Sequence, residues 1–477
     1  MKKILSKDTL VQLNLHKELT ITQLPTKVLQ FGTGVLLRGL IDDVIHQANM
    51  QDIFNGRVAI IKSTDGNPSE NQSFAVQDGL FTKGVRGIED GKVVQYDYIN
   101  SSISGVYSAK SQWASIKQIA ISEDLEIIIS NTTESGLKYI EEKLTDECPS
   151  SYTGKLCTLL YERFLHQKAG LVIIPTELLS NNGEIVKNNL LQLIDYNDLG
   201  SAFKTWVIEK NHFCSSLVDR IVPGRPDSQA ALEWDEQLPY HDDLKFISEP
   251  FGLWAIQGDE KIKKVCSFYL CNDEVKIVED ITIYKELKLR LLNATHTALT
   301  AYALLNGYQT VYEAMSNENF IKYAEELMEE IAIGIPYEID EDSKVAFAKS
   351  VIDRFSNPFI KHFWKDIAFN YTNKIAIRMV PVITTFVNKT GKLPEKLING
   401  IGCYLKLYSQ AVLSNEDYTI SLPDNTFKLN DEYTQLVISK INEGPKGLTS
   451  LFENEQIWGV KLAGIDGLVG SFEESIK

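Results

Sequence analysis

Residues 28–49 read VLQFGTGVLLRGLIDDVIHQAN. Val28 to Phe31 is a short apolar run that stops at Gly32, and beyond Gly34 the apolar residues recur at helical spacing. A strand, a tight turn and a helix in that order make a β-turn-α unit. The turn, Gly32-Thr33-Gly34, is the kind that lets a backbone approach a pyrophosphate at a helix N-terminus. The third glycine of G-x-G-x-x-G would fall at position 37, which is Leu37. Read alone, the pattern therefore fits a structural turn as well as a nucleotide site.

The neighbouring sequence favours the nucleotide site. RVAII (57–61), EIII (126–129) and LVII (171–174) are further buried-strand patterns, each followed by a polar turn and a helical pattern. Such alternation predicts a parallel sheet covered on both faces, with ligands at the carboxyl ends of its strands. Asp78-Gly79 and Asp90-Gly91 lie between apolar or β-branched runs and signal hairpins, so an antiparallel excursion on the main sheet is expected. Residues 222–243 are rich in turn formers and charge and read as a surface excursion. From about residue 281 long amphipathic patterns dominate, at 284–305, 318–333, 343–355, 358–371 and 395–413. The expected architecture is an α/β Rossmann-type N-terminal domain with an antiparallel excursion (1–280), followed by a mainly α-helical substrate and catalytic domain (281–477).

Composition narrows the function. The 477 residues include 48 Lys and Arg against 64 Asp and Glu, a formal charge of −16, with no basic tail to track a phosphate backbone. Nucleic acid is not an expected partner. Hydrophobic residues at 44% and charged residues at 23% match a globular protein rather than a disordered one. Six cysteines without a C-x-x-C pair indicate neither a disulfide framework nor a zinc site. The N-terminus lacks the roughly 7–15-residue apolar stretch of a signal peptide, and no segment has about 18 uninterrupted apolar residues. A soluble cytoplasmic protein with no membrane partner is expected.

Several residues carry candidate chemistry. Asp65, after the second strand, could bind ribose hydroxyls and favour NAD, or could be a turn residue. Ser130 to Glu134 combines N-capping types: Asn131 and Thr132 either cap a helix or face a cofactor. In KLRLLNATH (288–296), Lys288, Asn293 and His296 fall within an arc of roughly 140° at about 100° per residue. These types suit carbonyl reduction or alcohol oxidation, in which a developing alkoxide needs a proton and neutral donors. Lys288 would give the proton, if its pKa falls from the ordinary value of about 10.4. Asn293 would donate to the oxyanion and His296 would bind an adjacent hydroxyl. Spacing alone favours a satisfied polar helix face, so the motif needs outside support.

Together with QFGTGVLLRG (30–39), ISNTTESG (129–136), KLCTLLYERF (155–164), IIPTELLSNNG (173–183), LVDRIVPG (217–224), EPFGLWAI (249–256) and RFSNPF (354–359), this segment resembles the mannitol dehydrogenase family of long-chain, zinc-independent polyol and uronate dehydrogenases. The resemblance spans about residues 30 to 380 in family order. It implies an NAD-dependent oxidoreductase, no metal, a general acid/base at Lys288, and a reacting oxygen held by Asn293 and His296. Gly32, Thr33, Gly34 and Arg38 would belong to the cofactor site. One departure stands out. Polyol members have a C-D-N segment whose asparagine helps form the oxyanion hole, where this chain has Thr176-Glu177-Leu178. That function is lost or passes to another group such as Asn182.

The E-L spelling resembles the uronate branch. It implies a small-molecule hexuluronate substrate, tagaturonate reduced reversibly to altronate; fructuronate or an uncharged polyol is the alternative, and a nucleotide-sensing protein without turnover a third reading. A substrate carboxylate requires a cation, with Arg354 and Arg378 as candidates. Because a charge of −16 repels an anion at long range, the pocket must be locally basic. His241 and His362 lack metal-ligand spacing. Monomer and dimer are both compatible with the composition.

Overall fold

The apolar runs become strands because Ile and Val fit a pleated surface that is covered on both sides. In the computed structural model, which describes residues 2–63, 68–226, 228–414, 417–423 and 425–476, the chain divides into two units. One comprises Met1–Arg86 and Val94–Ile281, the other Gly87–Val93 and Thr282–Lys477.

The strands of the first unit are β1 (Thr26–Phe31), β2 (Arg57–Lys62), β3 (Phe81–Glu89), β4 (Lys92–Asn100), β5 (Ile103–Ser108), β6 (Ile127–Ser130), β7 (Val172–Pro175), β8 (His212–Phe213), β9 (Ser216–Asp219), β10 (Phe246–Ser248), β11 (Leu253–Gln257) and β12 (Val275–Val278). The main sheet is parallel with the order β5-β2-β1-β6-β7-β8. Val28 lies opposite Val58 and Ile127, and Phe31 opposite Ile61 and Ser130. Chain order reverses between β1 and β6, the switch point at which doubly wound sheets open a crevice. Alternate strand residues feed two cores. Val28, Ile60, Ile127, Ile129 and Ile174 pack with Leu40, Ile41, Val44 and Ile45 on one face. Leu29, Phe31, Ile61, Ile128 and Ile173 pack with Ile116, Leu156, Leu160 and Leu190 on the other. The Rossmann-type reading of the first half is correct.

The excursion differs from expectation in three ways. The hairpin β3–β4 joins β10 in a separate three-stranded sheet instead of extending the main one. Its turn is Asp90-Gly91, with φ of 50° and 74°, the left-handed pair of a tight hairpin. Asp78-Gly79 instead ends the helix Pro68–Val76, where Gly79 N–H donates to Phe74 O at 2.9 Å. The supposed surface stretch 222–243 also contributes a core. Trp234, Leu238 and Tyr240 are buried with Leu5, Leu10, Leu80 and Ile99. Buried Asp242 accepts from Gln77 Nε2 (2.7 Å), Thr82 N (2.5 Å) and Leu244 N (2.8 Å). Its polarity satisfies backbone that would otherwise be orphaned in the interior.

The second unit is mainly helical, as its amphipathic patterns predicted. Its helices include Glu318–Gly334, Glu341–Phe355, Val380–Thr390 and Glu395–Ser409. The pattern at 358–371 resolves instead into short helices, Trp364–Ile367 and Tyr371–Arg378, because Asn370 adopts the left-handed conformation between them. A small meander follows, β13 (Val412–Ser414), β14 (Asp417–Leu422) and β15 (Asn425–Lys428). Within this unit the hairpin tip meets the helix Glu341–Phe355: Lys349 pairs with Asp90 at 2.7 Å, and Gly91 N–H donates to Asp353. Among the described residues no helix is long and apolar enough to cross a membrane.

Candidate active site

Two sets of residues carry the chemistry, one in each unit. In the first, β1 ends at Phe31 and the chain turns through Gly32, whose φ of +122° is a conformation that side chains resist. A Cβ there would also lie 3.0 Å from Leu37 Cδ1 and 3.2 Å from Asn131 O. A Cβ on Gly34 would meet nothing within 4 Å, so this turn presents bare backbone. Arg38 N–H donates to Gly34 O at 3.2 Å, so a helix starts here, and its first turn points N–H groups outward. Glycine turn, helix N-terminus and switch point together fit the pyrophosphate of a dinucleotide.

The other residues expected at that site are engaged elsewhere. Arg38 is buried among the rings of Phe74, Phe81 and Phe246 and donates to Leu244 O at 2.9 Å. Asn131 donates its side-chain amide to Thr176 O and Oγ1 (3.1 and 3.0 Å). Thr132 gives both its N–H and its hydroxyl to Glu177 Oε1 (2.8 and 3.1 Å). Asn182, the group to which the oxyanion role could pass, is held by the protein itself. It is buried, its Nδ2 donates to Glu177 O and Ser216 O at 3.0 Å each, and its Oδ1 accepts from Ser216 N. Both amide hydrogens are thereby used. Asp65 lies outside the described residues.

The second set lies on a helix whose winding changes. Thr282–Leu287 is α-helical, Lys288–Ala294 is π-helical, and Thr295–Leu305 is α-helical again. The assumed α-helical arc is thereby corrected, because i→i+5 bonding brings residues five apart nearly above one another. Lys288 and Asn293 are such a pair, and both are half-buried. His296 is buried, with its ring stacked on Phe355 at 3.9 Å and edge-on to His362 at 5.0 Å. Its Nε2 is buried without a hydrogen-bond partner. Burial above all, then the neighbouring His362 imidazole and the positive charges of Arg354, Arg378 and Lys374, holds its pKa well below 6.5. At neutral pH it is an uncharged imidazole, able to share one hydrogen bond with a bound hydroxyl.

The helix Tyr371–Arg378 braces this segment. Arg378 Nη1 donates to Thr297 Oγ1 (3.1 Å) and Asn293 O (3.4 Å), and Arg290 Nη1 returns bonds to Ile377 O and Arg378 O (2.7 and 3.0 Å). Tyr371 Oη donates to Thr297 O (2.8 Å) and accepts from Ala301 N (3.0 Å), one turn beyond His296. Arg354 is buried and, with Arg378, lies close enough to act on His296. Lys374 belongs with them although the sequence reading passed over it. It donates to Ile367 O at 2.9 Å, and burial, then Arg378, lowers its pKa to about 8. Burial likewise brings Arg378 to about 10. An isolated lysine on an amphipathic helix looks like a solvated residue, so only packing exposes its setting. Among the described residues no group of three His, Cys, Asp or Glu is placed to hold a metal ion.

These features define a class. The mannitol dehydrogenase Rossmann-domain model matches residues 26–266 and the mannitol dehydrogenase C-terminal model residues 280–477, and the chain belongs to this family. Among particular proteins, it is 35% identical over 473 residues to the altronate oxidoreductase of Halalkalibacterium halodurans, covering 96% of this chain and 91% of that protein. It is 38% identical over 393 residues to the altronate oxidoreductase of Bacillus subtilis, covering 81% and 80%. Two solved structures share the fold: a D-sorbitol dehydrogenase in substrate-free form (TM-score 0.77, 18% identity, 96% and 92% covered), and Pseudomonas fluorescens mannitol 2-dehydrogenase with NAD and D-mannitol (TM-score 0.66, 20% identity, 96% and 92% covered).

Proposed function

We propose that this protein is an NAD-dependent oxidoreductase that reduces tagaturonate to altronate, reversibly, as a cytoplasmic enzyme of hexuronate breakdown. One observation carries the substrate class: in a chain of net charge −16, Arg354, Arg378 and Lys374 gather around a neutral His296. That local excess of positive charge suits a carboxylate. The altronate oxidoreductase relatives support the same reading.

Gly32, Thr33 and Gly34 would hold the pyrophosphate with backbone N–H groups. NAD, when bound, supplies and accepts the hydride. Lys288 Nζ gives a proton to the ketone oxygen as it becomes an alkoxide, and takes it back in the reverse direction. Asn293 donates a hydrogen bond to that oxygen, stabilising charge that develops during the step. His296 Nε2 binds a neighbouring hydroxyl and, being neutral, adds no competing proton source near pH 7. Arg378 and Lys374 bind the carboxylate, each keeping donors beyond those it gives to the protein.

The test is loss of NADH absorbance with tagaturonate, fructuronate and fructose offered separately, then again with NADPH. Turnover with tagaturonate and NADH is expected. Turnover with fructose alone would overturn the carboxylate assignment and leave Lys288 in place. Silence with every pair would favour a nucleotide-sensing role.

A further inference from the structure

A buried carboxyl group unused by the proposed chemistry lies directly beneath the glycine turn. Gln30, on β1, and Asp42, on the helix after the turn, are both fully buried. Gln30 Nε2 lies 3.3 Å from Asp42 Oδ2 and 3.3 Å from Gly32 O, so both amide hydrogens have acceptors. The other two oxygens, Gln30 Oε1 and Asp42 Oδ1, are buried with no partner at all. An amide oxygen and a carboxylate oxygen can only accept, and two orphan acceptors in one interior pair are costly. A single proton removes both defects. Placed on Asp42 Oδ1, it donates to Gln30 Oε1, and every polar atom of the pair is satisfied.

We propose that Asp42 is protonated and closes a two-bond acid–amide ring with Gln30, a positioning pair that fixes the carbonyl of Gly32 and so the turn that receives the dinucleotide. The inference rests on the dinucleotide reading of that turn. The charged neighbours are accounted for. Arg38, one turn earlier, favours the ionised form, and Asp43, next in sequence, opposes it. Both have other partners: Arg38 donates to Leu244 O, and Asp43 binds Lys83 and Arg220. His46, one turn later, is brought to about 4 by burial and is neutral. From β4, Asn100 reaches only the main-chain oxygen of Asp42. Burial outweighs the rest and pushes the Asp42 carboxyl up to about 7. Above that pH the ring loses one bond, and a negative charge appears under a turn that must accept an anion.

The experiment has two arms on the intact protein. In the first, aspartate side-chain carboxyls are labelled with carbon-13, and the infrared band of a protonated carboxyl is followed from pH 6 to pH 9. That band should be present at pH 6, fade on alkalinisation, and be missing from Asp42→Asn. Its absence from the wild type at pH 6 would overturn the inference even if the variant failed to fold. In the second arm, the Kd for NADH is measured by fluorescence over the same range. Wild-type affinity should weaken by roughly three- to tenfold at high pH, the equivalent of one hydrogen bond. Asp42→Asn, whose amide preserves both ring bonds, should stay flat. Parallel pH dependence in the two proteins would sink the positioning role. Failure of the wild type to bind NADH at any pH would instead overturn the dinucleotide reading.

Discussion

Replacing Lys374 with Met tests the carboxylate assignment most directly, because methionine keeps the apolar stem and removes only the charge. Lys374 spends one of its three N–H donors on Ile367 O, leaving two for a ligand. A hydrogen bond from a charged group contributes about 1.5–3 kcal/mol, which at about 1.36 kcal/mol per decade is roughly a 10- to 150-fold rise in KM for tagaturonate. Because the carboxylate does not react, its contact is equal in ground and transition states, and kcat should change little. Fructose, which has no carboxylate, should be turned over identically by both proteins. Wild-type pH dependence gives a second check. Lys374 is charged below its pKa of about 8 and neutral above it, so the KM for tagaturonate should be low at pH 7 and rise above pH 8. Lys374→Arg, charged throughout, should lack that rise. An equal KM increase for fructose, or no increase for tagaturonate, would refute the assignment.

Three further outcomes are expected. Lys288→Ala should lower kcat by roughly 10²–10⁴-fold while leaving the Kd for NADH unchanged, read by steady-state kinetics and fluorescence titration. Gly34→Ala should leave the melting temperature as it is, since its methyl group meets no protein atom within 4 Å. It should weaken NADH binding by about 1–3 kcal/mol through overpacking against the pyrophosphate. Tyr371→Phe strips a hydroxyl that serves both Thr297 O and Ala301 N. The loss should be about 1–3 kcal/mol in denaturant unfolding, with kcat falling as His296 loses its support.

The fold was legible because it rests on hydrophobic runs. The Ile and Val stretches at 57–61, 126–129 and 171–174 have too little polarity to be anything but doubly covered strands, and the glycine turn marks the end of the strand that precedes them, at 28–31. Features that depend on which partner a polar group finds were not. Asn182 reads as an available donor, yet Ser216 and Glu177 occupy it fully. Arg38 reads as a residue of the cofactor turn, and its packing against three phenylalanine rings has no trace in the local pattern. Asp242 reads as solvated, yet it satisfies buried backbone of a neighbouring strand. The π-helical turn at Lys288–Ala294 leaves no periodic signature, because seven residues fit an α-helical pattern equally well. In each case the decisive contact is with a residue distant in sequence or with a backbone group, which local patterning does not encode.

The cationic patch around His296 sits in a strongly acidic protein, and the two charge distributions act over different ranges. At about 0.15 M salt the screening length is roughly 8 Å, so the body's repulsion of an anion is largely damped while contacts inside the patch persist. In dilute buffer that repulsion extends outward and slows encounter; in concentrated salt the final ion pairs weaken. Substrate capture, measured as kcat/KM for a uronate, should therefore climb and then decline as ionic strength increases. A neutral ketose should trace a flat line, and the salt at the summit marks where diffusion toward the pocket gives way to retention inside it.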